Sequence, residues 1–426
     1  MNAGQHDRRT PRWDRVFVAL LALSSCVAGL MNDFVYDDIP LIRDNARIHS
    51  LANWRELLTL PYWPPPYAQD LYRPMAVMLL AVEYALGGGS PIVYRLVSYA
   101  MYAACTIGVY VLASRLVSRR AALLATALFA AHPVHVEAVA LGVNQGELVV
   151  GLAAVVMVRI YLDGRRAGRL TTRRWAALCA LFAAVALTKE NAFMLPAILL
   201  AAELFLVDDG SWRGRAAKLF GGYAALAAVG ALLIALRGAV LSGRVAGATP
   251  NMALAGLGLF GRMFTMLQVV PQWARLLVWP ERLQADFAPT DFPMPSGVGP
   301  PELLGLGLIA ATFALIIYAR RRAPVLSFGL TWCVLALLPV SNIVPTTIML
   351  AERTLFLPSV GFLLAVAAAG ERAVGLAGRH HKRARLTLTF ACAILVLAGL
   401  VRGGNRHRSW NSAHVQIANP AASPTR

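Results

Sequence analysis

The chain has 426 residues, 58% of them hydrophobic and only 15% charged, with a mean hydropathy of +0.58. Soluble domains carry about 25% charged residues, so this composition excludes a soluble protein and requires lipid to solvate part of the apolar surface. The net charge of +18 sits in short loops between apolar segments, which is the pattern of membrane loops and excludes a nucleic-acid-binding domain.

Residues 1–15 form a polar tail with Arg8, Arg9, Arg12 and Arg15, and an apolar run follows from Val16 to Met31. Leu23-Ser24-Ser25-Cys26 has the look of a lipoprotein cleavage site, but the apolar run continues past Cys26. The segment therefore reads as a retained first helix with its N-terminus inside. Residues 32–73 then lie outside, in a loop that holds Asp33, Asp37, Asp38, Asp44, Glu56 and Asp70. Further spans are predicted near 91–114, 121–140, 147–162, 175–188, 192–207, 217–238, 301–319, 325–340, 352–370 and 386–401. Basic loops at Arg115 to Arg120, Asp163 to Arg174, Asp208 to Lys218, Arg320 to Arg322 and Arg379 to Arg385 fall on one side, the cytoplasmic one.

Two segments do not fit simple alternation. Residues 74–86 are apolar but too short to span easily at 1.5 Å per residue. Residues 254–280 are long enough but carry Arg262, Gln268, Pro271, Gln272 and Arg275, and counting them as a span would put the Arg320–Arg322 cluster outside. Both read as interfacial or re-entrant helices on the outer face, the second within an outer loop over 239–300. The expectation is an all-α polytopic membrane protein: a transmembrane domain over 16–401 with about eleven spanning helices, and an outer tail over 402–426. The five cysteines all lie in apolar segments and read as small packing residues.

The charged residues outside are few and grouped. Asp37 and Asp38 follow the first helix; adjacent carboxylates near an apolar surface repel, so one can serve as a general base, or the pair can hold a divalent cation. The alternative is a solvated loop with a helix-capping aspartate. His132 and His135, three apart, precede Glu137; Pro133 argues against a regular helix there, and two histidines with one carboxylate are a weak zinc signal. Lys189 and Glu190 sit at a short turn, as an interfacial anchor or reaching a phosphate. Arg353 opens a later span, where an arginine can snorkel or clamp a lipid phosphate with its planar fork. Carboxylates, histidines and cations on one membrane face suit a reaction on a lipid-phosphate substrate. No GxxxxGK[ST] phosphate loop is present.

In chain order the groups read Phe34-Val35-Tyr36-Asp37-Asp38-Ile39-Pro40, Tyr72-Arg73-Pro74, His132-Pro133-Val134-His135-Val136-Glu137-Ala138-Val139, Thr188-Lys189-Glu190 and Ala351-Glu352-Arg353-Thr354-Leu355-Phe356-Leu357-Pro358-Ser359-Val360-Gly361. This series resembles the membrane half of the transmembrane and tetratricopeptide-repeat O-mannosyltransferases and their bacterial relatives, over about residues 15–415. The resemblance implies a GT-C glycosyltransferase that takes a mannose-like hexose from a polyprenyl-phosphate carrier on the outer or lumenal face. It implies that the catalytic acid group is Asp37 or Asp38, and that Arg73, His132, His135, Glu137, Lys189, Glu190 and Arg353 line the substrate cavity. It also implies a multi-pass protein of a bacterial inner membrane. The family continues into repeats after a segment like Asn405-Arg406 and Trp410, whereas this sequence stops at Arg426, so the expected acceptor is a protein or a glycan. A transporter or flippase is the alternative, but it would place ionisable groups near the bilayer midplane rather than at helix ends. A scaffold whose outer charges merely anchor it is a third.

Overall fold

The computed structural model describes residues 11–208, 211–243, 251, 254–284, 287 and 297–411. Among the described residues it is all helical, without strands. The helices, in chain order, are α1 (Arg12–Cys26), α2 (Trp54–Thr59), α3 (Pro74–Gly87), α4 (Pro91–Leu116), α5 (Arg119–Ala130), α6 (Val136–Ala140), α7 (Gln145–Arg166) and α8 (Thr172–Ala186). They continue with α9 (Leu195–Leu206), α10 (Trp212–Val240), α11 (Leu259–Met266), α12 (Val269–Val278), α13 (Pro300–Ala319), α14 (Pro324–Leu337), α15 (Phe356–Leu376) and α16 (His381–Ser409). Proline opens α3, α4, α13 and α14 in the first turn, where its missing N–H is one of the unpaired donors anyway.

Each of the eleven predicted spans coincides with a helix, but by length and composition six of the described helices can cross a membrane, or seven if a bent pair counts as one. The pair is α5 with the 133–140 segment, bent by 49° at His132-Pro133, where proline cannot continue the hydrogen-bond ladder. Helices α1 and α8 reach about 22 Å at 1.5 Å per residue, short of a hydrocarbon core of about 30 Å. Phe17, Leu20, Phe313, Ile317, Phe390 and Leu397 are exposed, as suits helices facing lipid.

Ion pairs sort the helix ends into two groups. At one end, α1, α4 and α5 meet through Asp14, Tyr110 and Arg119, and α7 and α9 through Arg165 and Glu203. At the other end lie the loop after α1, the start of α4, the end of α10 and the start of α15, joined by the contacts given below. Both ends of α3 are at this second end: Arg73 pairs with Glu190, and Arg95, one turn into α4, pairs with Asp38. Helices α11 and α12 belong there too, with the Leu277 carbonyl on His132. Among the described residues, neither segment forms a helix long and apolar enough to cross a membrane.

Small residues set the tightest packing. Gly329 of α14 and Gly361 of α15 face each other, and a Cβ on either would fall 2.5 Å from the other's carbonyl oxygen. Such close approach lets two backbones share dispersion contacts where lipid offers no hydrophobic drive.

Two boundaries differ from the sequence expectation. Helix α1 begins at Arg12 rather than Val16, and α16 runs on to Ser409 instead of giving way to a tail at 402. The reason is packing. His407 and Trp410 are each 1% exposed, and Asn32 donates to the His407 carbonyl at 2.7 Å. The predicted tail beyond residue 411 lies outside the described residues, as do 1–10.

Candidate active site

The loop after α1 separates its two aspartates. Tyr36 adopts φ 53°, in the left-handed region that costs a non-glycine residue about 1–2 kcal/mol. Its ring meets the buried Trp410 edge-on at 6.5 Å, so the packing around α16 holds the turn. Asp38 then points inward and is 0% exposed. It pairs with Arg95 at 3.3 Å and accepts the Gly142 and Val143 N–H groups at 3.2 and 3.0 Å. Burial pushes its carboxyl above the usual carboxylate range, and Arg95 and the two amides offset this only in part. Asp37 is half-buried and lies within electrostatic reach of Arg353 and Tyr62.

The turn after α8 carries the next group. Met75 N–H donates to the Leu187 carbonyl, which brings the start of α3 against this turn. Arg73 meets Glu190 through Nη2 at 2.7 Å and Nε at 3.0 Å, and its guanidinium lies 5.0 Å from the centre of the Tyr62 ring. Arg237, near the end of α10, reaches the other Glu190 oxygen at 2.8 Å and also donates to the Asp70 carbonyl. Burial pushes the Glu190 carboxyl up, but Arg73 and Arg237 outweigh it and hold it at about 2. Lys189 contacts Glu147 at 2.9 Å, and Asn191 donates to the second oxygen of Glu147 at 2.7 Å. Burial pushes the Lys189 ammonium down; Glu147 pulls it back only in part, and Arg73 and Arg353 add to the fall.

The segment before α15 closes the cluster. Arg353 forms an ion pair with the fully buried Glu137, which also accepts the Arg353 backbone N–H at 2.8 Å. Glu352 pairs with Arg406 of α16 at 2.9 Å, and Arg406 lies over the Trp410 ring at 5.2 Å. The structure thus brings Asp37, Arg73, Glu137, Lys189, Glu190 and Arg353 to one end of the bundle, with Asp38 buried just behind.

The histidines serve elsewhere. His135 is 2% exposed, with its ring nitrogens 3.0 Å from the Tyr102 hydroxyl and 2.9 Å from Ser359 Oγ. His132 accepts the Val134 N–H and meets the Leu277 carbonyl at 3.0 Å, pinning α12 to the bend. Both hold helix ends together. Among the described residues, no group of three or more His, Cys, Asp or Glu side chains converges as a metal site.

Sequence reasoning missed Arg95, Glu147, Arg237 and Arg406 as members of this cluster. A signal for three of them was present. Arg95 and Arg237 sit inside apolar spans, and Glu147 opens one, and an ionisable residue in such a segment marks a buried partner. For Arg406 only the fold of α16 reveals the role.

Residues 72–237 match a family model described as dolichyl-phosphate-mannose-protein mannosyltransferase. The mouse protein O-mannosyl-transferase TMTC3 is 24% identical over 91% of this chain and 45% of its own length. The mouse protein O-mannosyl-transferase TMTC4 is 25% identical over 94% of this chain and 61% of its own. Among solved structures, ArnT from Cupriavidus metallidurans bound to undecaprenyl phosphate aligns over 93% of this chain and 77% of its own, with a TM-score of 0.52 at 14% identity. The chain is thus similar to these O-mannosyl-transferases over nine-tenths of its own length, and it shares its fold with ArnT. The same fold is shared with the archaeal oligosaccharyltransferase AglB from Archaeoglobus fulgidus, solved with an inhibitory peptide and a dolichol-phosphate, with a TM-score of 0.51 at 15% identity over 93% of this chain and 55% of its own. The chain spans about half the length of the curated relatives it matches. The part that matches the family model begins beside Arg73 and ends at Arg237, so it contains Lys189, Glu190 and both arginines on Glu190.

Proposed function

We propose that this protein transfers a hexose, mannose in the first instance, from a polyprenyl-phosphate carrier to a hydroxyl on a protein or glycan, at the outer face of a bacterial inner membrane. One observation carries the reading: a half-buried carboxylate, Asp37, lies within electrostatic reach of Arg353, at the bundle end where Arg73, Lys189 and Arg353 gather. Asp38, Glu137, Glu147 and Glu352 each face one cation, and Glu190 faces two. The grouping of Arg73, Lys189 and Arg353 suits a phosphodiester carrying one negative charge. It suits still better the phosphate that leaves with a second charge, so the stabilisation grows along the reaction.

In this reading Asp37 takes the proton of the acceptor hydroxyl as its oxygen attacks the anomeric carbon. The bond from that carbon to the phosphate oxygen breaks, and its electron pair stays on the leaving polyprenyl phosphate. Arg73, Lys189 and Arg353 hold the phosphate, and Arg237 supports Arg73 through Glu190. Asp38 keeps the loop in place by gripping Arg95 and the 142–143 backbone. Glu137 orients Arg353 through both its side chain and its backbone N–H. His132 and His135 position the bend that presents Glu137. The printed descriptions of the relatives support the reading: the matching family model and the mouse relatives are described as mannosyltransferases, and ArnT and AglB were solved with polyprenyl-type phosphates.

The purified protein in lipid vesicles, given polyprenyl-phosphate mannose and an envelope extract as acceptor, should consume the glycolipid and move mannose into the protein or glycan fraction. Mass spectrometry reads both. Transfer from nucleotide-linked sugars with none from phosphate-linked hexoses would overturn the proposal. For sidedness, a lone cysteine at the exposed Asn405 should react with a membrane-impermeant thiol reagent in intact cells, and one at Gly168 should not. The reverse pattern would put the reaction on the inner face.

A further inference from the structure

Helices α7 and α8 are joined by the turn 167–171, at the bundle end away from the active site. The first turn of α8 carries Arg173 and Arg174, which add cations where the helix dipole is already positive. Among the described residues one carboxylate, Asp163, lines the cleft between the two helices, and it is shared: Arg115 pairs with it, and Arg159 Nε lies 3.6 Å away. Arg173 and Arg174 make no ion pair among the described residues. The cleft has a volume of about 450 Å³.

Its lining is layered. Arg173, Arg174 and Asp163 stand at the outer rim of the bundle end. Arg159, Ile160 and Ala177 lie about one helical turn deeper, roughly 5–6 Å toward the middle of the bundle, with Arg159 reaching back to Asp163. Ala177 is exposed, so this deeper wall opens sideways to lipid. A small soluble anion has no use for an apolar wall that faces lipid. An amphiphile with a phosphate head and an acyl chain fits both layers, its phosphate between planar guanidinium forks and its chain along Ile160 and Ala177.

We propose that the α7–α8 cleft binds the headgroup phosphate of an anionic glycerophospholipid in the leaflet opposite the active site, with Arg173 and Arg174 as its principal ligands and Arg159 as the third cation. The site stands apart from the donor cluster and does not depend on the proposed transfer reaction.

The test uses the delipidated full chain in a neutral detergent. Phosphatidylglycerol, phosphatidylcholine and inorganic phosphate are added separately, with bound lipid counted by native mass spectrometry and stability followed by thermal melting. Phosphatidylglycerol should stay bound and raise the melting temperature. Arg173→Gln/Arg174→Gln should weaken its binding by roughly a hundredfold, about tenfold for each lost guanidinium–phosphate contact. Both side chains sit at the rim without internal ion pairs, so the double variant should melt like wild type before lipid is added. Arg320→Gln/Arg321→Gln, on the same end of the bundle, should bind phosphatidylglycerol like wild type. Equal stabilisation by phosphatidylcholine or by inorganic phosphate would overturn the proposal. So would equal loss in the two double variants, which would mean diffuse attraction to a basic surface, or undiminished binding in the first.

Discussion

Asp37→Asn lowers turnover by about 10²–10⁴-fold, the usual contribution of a general base, while the protein folds and binds donor normally. Asp38→Asn has a different expected outcome, loss of stability. Asp38 is fully buried and receives the Arg95 guanidinium and two backbone N–H groups. An asparagine offers one acceptor oxygen in place of two and leaves Arg95 as an uncompensated buried charge, at a cost of about 3–5 kcal/mol. Asp37 has no such burial, and Asn preserves its size and much of its hydrogen bonding. Turnover and thermal melting of both variants, purified in detergent, separate the roles. Wild-type turnover in both would move the base elsewhere, with Glu137 and Glu190 the next candidates. A stable, inactive Asp38→Asn beside an active Asp37→Asn would exchange the two assignments.

Arg353→Met destabilises the protein by about 3–5 kcal/mol, because it strands the Glu137 carboxylate, 0% exposed, without its cation. Adding Glu137→Gln to the same chain recovers much of that loss, since no unpaired buried charge is left. Arg353→Lys keeps the charge but not the planar fork. Its melting temperature should stay near wild type while KM for the lipid-linked donor rises about tenfold, the effect of one weakened charge-assisted contact. Melting curves of the three variants and donor titrations of Arg353→Lys check this. Unchanged donor KM and turnover in Arg353→Lys would reduce Arg353 to an anchor for Glu137.

The same comparison shows why part of the cluster was readable in advance. Lys189, Glu190 and Arg353 stand out because each interrupts apolar sequence at a helix end, and the positions of the arginine loops put those ends on one face. Their partners were hidden. Glu190 and Arg237 are 47 residues apart and Glu137 and Arg353 are 216 apart, so no local period relates them. For His132 and His135 the sequence carried no sign of their partners: Tyr102, Ser359 and the Leu277 carbonyl meet their ring nitrogens, contacts that depend on how α4, α12 and α15 pack against the bend.

By itself the sequence determined the class of the protein, an all-helical membrane protein, and the places where apolar helical segments begin and end to within a few residues. These follow from composition, runs of apolar residues and loop charge, all local quantities set by the transfer of side chains and backbone into lipid. Only the tertiary structure decided which carboxylate is buried and which faces the cluster. Adjacent aspartates are indistinguishable in sequence until the left-handed turn at Tyr36, held by Trp410 from the far end of the chain, sends Asp38 to Arg95 and Asp37 toward Arg353. It also decided that α16 runs through to Ser409 as part of the site, because Arg406 is drawn inward by the buried Glu352. Burial and pairing of charge are properties of the assembled bundle, and they come from contacts between segments that the chain keeps far apart.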